Sequence, residues 1–188
     1  MSIYDLPTSV VVNGKEWEIN SDYRAVLDIC IALSDPELDE TERAMVVLTI
    51  FYPDLEEMDM RDYSEALIEA MVFVNNGKQM NPAAASSSSG PKLVDWEQDF
   101  KLMIGPINTV AGREIRSLDY LHWWTFLSYY NEINGDSTFA QVVQLRDKLA
   151  RGKKLEKTDR EFYRNNRELV DFKNKYTSED DAVINEWI

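Results

Sequence analysis

His122 and Cys30 are the only histidine and the only cysteine in this 188-residue sequence. Catalysis by a cysteine or serine nucleophile ordinarily needs a base, most often histidine. His122 stands in Leu121-His122-Trp123-Trp124-Thr125-Phe126, where a histidine beside two tryptophans reads as a packed side chain rather than a base. A structural zinc site takes four Cys or His ligands, and the chain offers two candidates. No Gly-x-Gly-x-x-Gly and no Walker loop is present, which excludes nucleotide binding by those routes. Asn131 to Asp136 superficially resembles a calcium loop. With Gly135 at the loop's glycine position, however, Tyr130 falls where a carboxylate is required. The 34 acidic residues supply carboxylates enough for acid–base hydrolysis, but at that density a chance pair carries no signal. The expectation is a non-enzymatic chain with no catalytic residues, no cofactor and no metal.

Binding chemistry is more visible. Arg160-Glu161-Phe162-Tyr163-Arg164, followed by Arg167, interleaves basic and aromatic residues as nucleic-acid binders do. The same spacing makes a helix with Phe162, Asn166, Leu169 and Val170 on a buried side and the arginines on the wet side. The second reading is preferred, which leaves a small DNA-binding regulator as a lesser alternative. The segment 118–133 is unusual in being aromatic on more than one helical face. Tyr120, Trp123, Trp124, Leu127 and Tyr130 make one stripe, and His122, Phe126, Tyr129 and Ile133 a second. A surface helix needs one apolar stripe, so this helix is either buried on most sides or shared with a partner. Trp123 and Trp124 cannot point the same way, because successive helical residues turn by about 100°.

These residues need a scaffold, and the pattern predicts a mainly α protein: a helical bundle with a small N-terminal β-hairpin. Val10-Val11-Val12-Asn13-Gly14-Lys15-Glu16-Trp17-Glu18-Ile19 has Asn-Gly between strand formers, the strongest short hairpin signal. Trp17 and Ile19 share one face, and an isolated hairpin is marginal in water, so it must pack on helices. Asn20 or Ser21 is positioned to cap a helix carrying Tyr23, Val26, Leu27 and Cys30. Helices follow at Thr41–Tyr52, stopped by Pro53, and at Asp62–Val74, closed by Asn75-Asn76-Gly77. Trp96, Phe100, Met103, Ile107 and Val110 mark another, with a break or kink expected at Gly105-Pro106. Further helices are predicted at Leu118–Ile133, at Thr138–Arg151 with Phe139, Val142, Val143 and Leu149 as its apolar face, and at Thr158–Lys173.

The predicted organisation is hairpin plus helices over 1–76, a flexible Ala/Ser-rich linker over 77–93, a C-terminal helical part over 94–176 and an acidic tail over 177–188. The two parts are expected to share a core or to dock closely. Composition is that of a soluble globular chain, but net charge is −14, which repels DNA and anionic membranes. The charge is segregated. Residues 1–90 carry 17 acidic and 5 basic side chains, and residues 91–188 carry 17 and 15. Arg146 to Arg167 holds nine basic against four acidic residues. That is either a solvated face or a patch for an acidic partner, including the N-terminal half of another copy. The N-terminus lacks the basic and apolar regions of a signal peptide, and no apolar run approaches the ~20 residues of a membrane span. These features predict an intracellular protein.

Three segments in order carry a resemblance: Val94-Asp95-Trp96-Glu97-Gln98-Asp99-Phe100, then the Leu-His-Trp-Trp-x-Phe run at 121–126, then Ser137-Thr138-Phe139-Ala140-Gln141-Val142-Val143-Gln144-Leu145-Arg146. With the N-terminal hairpin, the Asp22-Tyr23-Arg24 helix start and the acidic helices before a low-complexity linker, they resemble the bacteriophage gene-product-fifteen family of tailed phages and prophages of Gram-positive bacteria. Where that family has a Tyr-Gly-containing loop before the His-Trp-Trp helix, this chain has Ala111-Gly112-Arg113-Glu114-Ile115. The resemblance implies a tail assembly chaperone that binds the tape-measure protein, helps recruit tail-tube subunits, and is absent from the finished virion. It implies a host-cytoplasmic location, protein partners rather than nucleic acid or membrane, and possible homo-oligomers. A structural tail or connector protein retained in the virion is the alternative. The residues expected to contact partners are His122, Trp123, Trp124, Phe126, Arg146, Arg160 and Arg164.

Overall fold

The computed structural model describes residues 4–79 and 90–173. Among them, one two-stranded antiparallel sheet and eight helices form the fold. The predicted hairpin is present: β1 (Ser9–Val12) pairs with β2 (Lys15–Glu18), Val10 opposite Trp17 and Val12 opposite Lys15. Its turn needs positive φ at both central residues, and Asn13 and Gly14 supply it at 47° and 83°. Trp17 and Ile19 are buried while Glu16 and Glu18 face water, as period-two alternation requires.

Three helices complete the N-terminal half: α1 (Tyr23–Leu33), α2 (Glu40–Phe51) and α3 (Tyr63–Val74). The cap of α1 is Asp22, not Asn20 or Ser21 as expected; its carboxylate accepts from Arg24 N at 2.9 Å, and the Ser21 hydroxyl is instead paired with Tyr120 Oη at 2.8 Å. A reciprocal capping box between Asp39 and Glu42 starts α2. Before α3 the chain makes two 3₁₀ turns, Leu55–Glu57 and Met60–Asp62. Asp62 gives α3 no side-chain cap; its carboxylate accepts from Asn13 Nδ2 at 2.8 Å and so ties the hairpin turn to this helix start.

In the second half, α4 (Trp96–Ala111) runs through Pro106 without interruption, contrary to the expected break. Gly105 has no Cβ to clash with the proline ring, so only one intrahelical donor is lost, and the Thr109 hydroxyl bonds the Gly105 carbonyl at 3.1 Å. Burial of Met103, Ile104 and Ile107 on either side of the proline offsets the roughly 3 kcal/mol that an interior proline costs. Gly112, at φ +67°, caps α4 in the left-handed conformation. Asn108 then receives Ile115 N at 2.9 Å and donates to Glu114 at 2.9 Å, folding the 111–115 connection back on the helix.

The aromatic helix α5 (Trp123–Asn131) is shorter than the predicted 118–133. Leu118 to Leu121 stay outside the helix, and their backbone serves α1: Arg24 Nη2 donates to Leu118 O at 2.5 Å, and Tyr23 N to Leu121 O at 2.9 Å. α6 (Thr138–Ala150) is capped by Ser137, whose hydroxyl accepts from Ala140 N at 3.2 Å. Leu149 is exposed, however, whereas Leu145 and Arg146 are buried. The last predicted helix is two pieces, α7 (Lys157–Asn165) and α8 (Arg167–Val170), broken at Asn166, whose Nδ2 bonds Phe162 O at 2.9 Å.

One hydrophobic core joins both halves. It draws on the hairpin (Val12, Trp17), α1, α2 and α3, and equally on α4 (Met103, Ile107), Ile115, α5 (Trp123, Phe126) and Phe139 of α6. A smaller cluster of Val142, Leu145 and Val170 holds α6 to α8, with Phe162 of α7 against it. Most of the expected 77–93 linker and the whole 177–188 tail lie outside the described residues.

Candidate functional site

Histidine 122 is the N-cap of α5. Its Nδ1 accepts from Trp124 N at 3.0 Å, and its Nε2 lies 2.9 Å from Pro7 O. A ring that accepts at Nδ1 and donates at Nε2 is the neutral tautomer. Burial holds its pKa below the ordinary histidine value, opposed in part by the Pro7 carbonyl. Both ring nitrogens are used in holding structure, so neither is available to take a substrate proton.

The adjacent tryptophans have diverging side chains that reach the same helix end. Trp123 Nε1 donates to Val74 O at 2.9 Å and Trp124 Nε1 to Phe73 O at 2.9 Å. These carbonyls belong to the last turn of α3, where four C=O groups have no intrahelical partner. The indoles thus cap α3 from the side. Trp123 stacks on Phe126 (5.5 Å between centroids) and Trp124 on Phe73 (5.6 Å). His122, Trp123 and Phe126 are buried and Trp124 half-buried. Expected as partner contacts, the first three have no free surface in this fold, and Trp124 keeps only an edge.

Arg146 also had a partner role predicted for it, and it is 4% exposed. Its guanidinium pairs with buried Asp99 of α4 through Nη1 (2.5 Å) and Nη2 (3.0 Å). Nε donates to Val170 O at 2.7 Å, Nη2 to Leu169 O at 2.8 Å and Nη1 to Leu93 O at 3.0 Å. All five donors of the fork are satisfied. Asp99 additionally accepts from Asp95 N at 2.9 Å, closing the start of α4. The Leu169 and Val170 carbonyls are the last of α8, which ends at Val170 and so leaves them without intrahelical donors. A cation in a basic run gives no sequence signal of burial; the matching clue was the lone Asp99 on the apolar side of the Trp96 helix.

Arg160 and Arg164 are exposed, as predicted, and lie beside Lys157 and Glu161 on one face of α7. Another open surface is a groove of about 360 Å³ between α1 and α4 that the sequence did not reveal. Tyr23, Leu27, Ile31, Trp96 and Phe100 line it, with Arg24, Asp28, Glu97 and Arg116 at its rim. Its walls are some seventy residues apart in sequence, and the Trp96–Phe100 step on one face of α4 was the only local hint. The Arg24 guanidinium lies 4.7 Å from the Tyr23 ring centre, and Arg116 is paired with Glu114, whose carboxyl is held at about 2, mainly by that guanidinium.

Among the described residues, no group of three or more His, Cys, Asp or Glu is placed to hold a metal ion, and no helix is long and apolar enough to cross a membrane. The arrangement presents an apolar groove and a basic helix face on a rigid core. No curated protein and no solved structure matches the chain. A family model does, over nearly its whole length: residues 3–172 match the Bacteriophage Gp15 protein family, and the chain belongs to it.

Proposed function

We propose that this protein is a tail assembly chaperone of a tailed phage of Gram-positive bacteria. In this reading it binds the tape-measure protein and aids recruitment of tail-tube subunits, in the host cytoplasm, without catalysis and without entering the finished virion. The observation that carries the reading is the family match over residues 3–172, which makes the chain a phage structural or assembly protein. The groove between α1 and α4 supports the finer role. An apolar trough with a charged rim suits an amphipathic helix laid in by anchors at i, i+3/i+4 and i+7, and a tape measure is a long helical chain that must be kept from aggregating. A carrier of net charge −14 adds solubility to such a complex. His122, Trp123, Phe126 and Arg146 then serve the partner indirectly, by fixing α4 and α5 behind the groove.

The test is co-expression with the tape-measure protein encoded nearby, comparing its soluble yield with and without this chain. The expected result is a soluble tape measure that co-elutes. Ile31→Asp and Phe100→Asp should each lose co-elution while retaining the wild-type helical spectrum. A tape measure that stays insoluble, with this protein found in purified virions, would make it a structural tail or connector component instead.

A further inference from the structure

The described chain ends against the first turns of α4. The Phe172 ring centre lies 4.1 Å from the Arg146 guanidinium carbon and 5.4 Å from Lys92 Nζ. Gln98 holds the next residues through both ends of its amide: Nε2 donates to Asp171 O at 2.9 Å, and Oε1 accepts from Lys173 N at 2.9 Å. Trp96, Glu97 and Phe100 of the same two turns form one wall of the groove between α1 and α4. Successive helical residues turn by about 100°, so Gln98 lies round α4 from the groove. The solvent-side arc between them carries Glu97 and Lys101, both exposed, and is open to a passing chain.

The groove is short. Its α1 wall runs from Tyr23 to Ile31, about 12 Å at the helical rise, and its α4 wall is little more than one turn. Ile31, Trp96 and Phe100 are half-buried and give it open apolar surface for about two turns of a helix. The rim sets Arg24 and Arg116 against Asp28 and Glu97 and so carries no net charge. Residues 174–188 lie outside the described ones, and their sequence holds an apolar group of matching length: Val183, Ile184, Trp187 and Ile188. Spaced i, i+1, i+4 and i+5, these four share one face of two helical turns, with Asn185 and Glu186 on the other. Nine residues, 174–182, separate the group from Lys173. Extended, they reach about 30 Å, well over the roughly 17 Å half-circumference of a helix with its side chains.

We propose that residues 183–188 occupy the groove of their own chain, so that a partner helix reaches Ile31, Trp96 and Phe100 only by displacing them. The inference rests on the chaperone reading for the identity of that partner and adds a regulation of the same site. Three features favour this occupant. Its apolar face matches the trough in length. The chain leaves the described fold at the end of α4 that carries the groove wall, within reach of it. A tether of nine residues holds the segment at an effective concentration on the order of millimolar, and a rim without net charge does not oppose it. The same segment of a second copy has no tether and must bring together two chains of net charge −14. The α7 face of Lys157, Arg160, Glu161 and Arg164 has no apolar member to receive Trp187 and Ile188.

The experiment compares amide NMR spectra of the full-length protein with those of an Ile184→Asp, Trp187→Asp double variant, with no other phage protein present. Both substitutions lie outside the described fold, so the cores stay intact, and unchanged signals from α2 and α3 report that. Shifts are expected in residues 23–31 and 96–100, identical at high and low protein concentration. In the reciprocal variants Ile31→Asp and Phe100→Asp, the signals of residues 183–188 should move to their positions in an isolated peptide of residues 174–188. Two groove variants guard against one that fails to fold. Spectra that match in both groove segments would overturn the proposal, as would shifts confined to α7. Groove shifts that fade on dilution would assign the occupant to a second copy and overturn it too. The tape-measure protein is absent throughout, so a segment that never docks leaves the chaperone reading intact. Failed co-elution with a docked segment would count against that reading alone.

Discussion

Asp22 and His122 cap two different helices and pair with each other through an isolated antiparallel bridge. Tyr23 N donates to Leu121 O at 2.9 Å and Trp123 N to Ser21 O at 2.8 Å, while the Asp22 carboxylate also receives Leu121 N at 3.1 Å. Backbone donors that helix starts leave unsatisfied are thereby met across a sequence gap of one hundred residues. The Tyr23 and Phe126 rings stack directly behind, 4.9 Å apart. This junction couples the two halves and fixes one wall of the groove.

His122 makes that junction pH-sensitive. Its folded pKa is depressed by burial, so the unfolded chain binds the proton more readily. Stability is therefore full above the unfolded value of about 6.5 and falls as pH drops from there toward the folded value. Urea midpoints measured from pH 8 to pH 5 should show this decline, and a His122→Asn variant, which keeps a capping acceptor without titrating, should lose the component in that window. A wild-type decline of equal size in the variant would assign it to carboxylates instead.

Removing Arg146 should be the most damaging single change at the surface of α6 as sequence would draw it. Arg146→Met leaves the Asp99 carboxylate buried without its cation, and breaking a buried pair in this way costs about 3–5 kcal/mol. Arg146→Lys should recover little, since an ammonium cannot reproduce a planar fork that serves Asp99, Leu93, Leu169 and Val170 at once. Chemical denaturation of both variants checks the order.

Gly77 closes α3 at φ +76°, and a Cβ there would meet Trp124 at 3.5 Å, an ordinary contact. The cost of Gly77→Ala is then backbone strain of about 1 kcal/mol. Gly77→Asn should cost less, because asparagine tolerates the left-handed region better. A much larger loss in both variants would point to the indole packing instead.

Cys30 should be inert in the native protein. Desolvation pushes its thiol up to about 12, so almost no thiolate exists at pH 8. A thiol reagent at that pH should label the native chain slowly and the urea-unfolded chain at once; fast native labelling would mean that α1 opens locally.

What the sequence determined by itself was everything written in short-range pattern. The Asn13-Gly14 turn, the Ser137 cap, the stop at Pro53 and the Asn75-Asn76-Gly77 closure follow from backbone preferences of the residues themselves, and the apolar stripes of α1, α2 and α4 from periodicity. The double stripe of the Trp123–Trp124 helix already required either burial on most sides or a partner. Tertiary structure decided the rest, for identifiable reasons. Leu118 to Leu121 could have continued the helix, but Tyr23 and Arg24 take their carbonyls. Pro106 could have broken α4, but its neighbours are packed and Gly105 leaves room. Arg146 looked like one more surface cation until Asp99, forty-seven residues earlier, and the carbonyls beyond Asn166 came around it. The groove arises only when segments distant in the chain are folded together, because a concave surface is not a property of any local stretch.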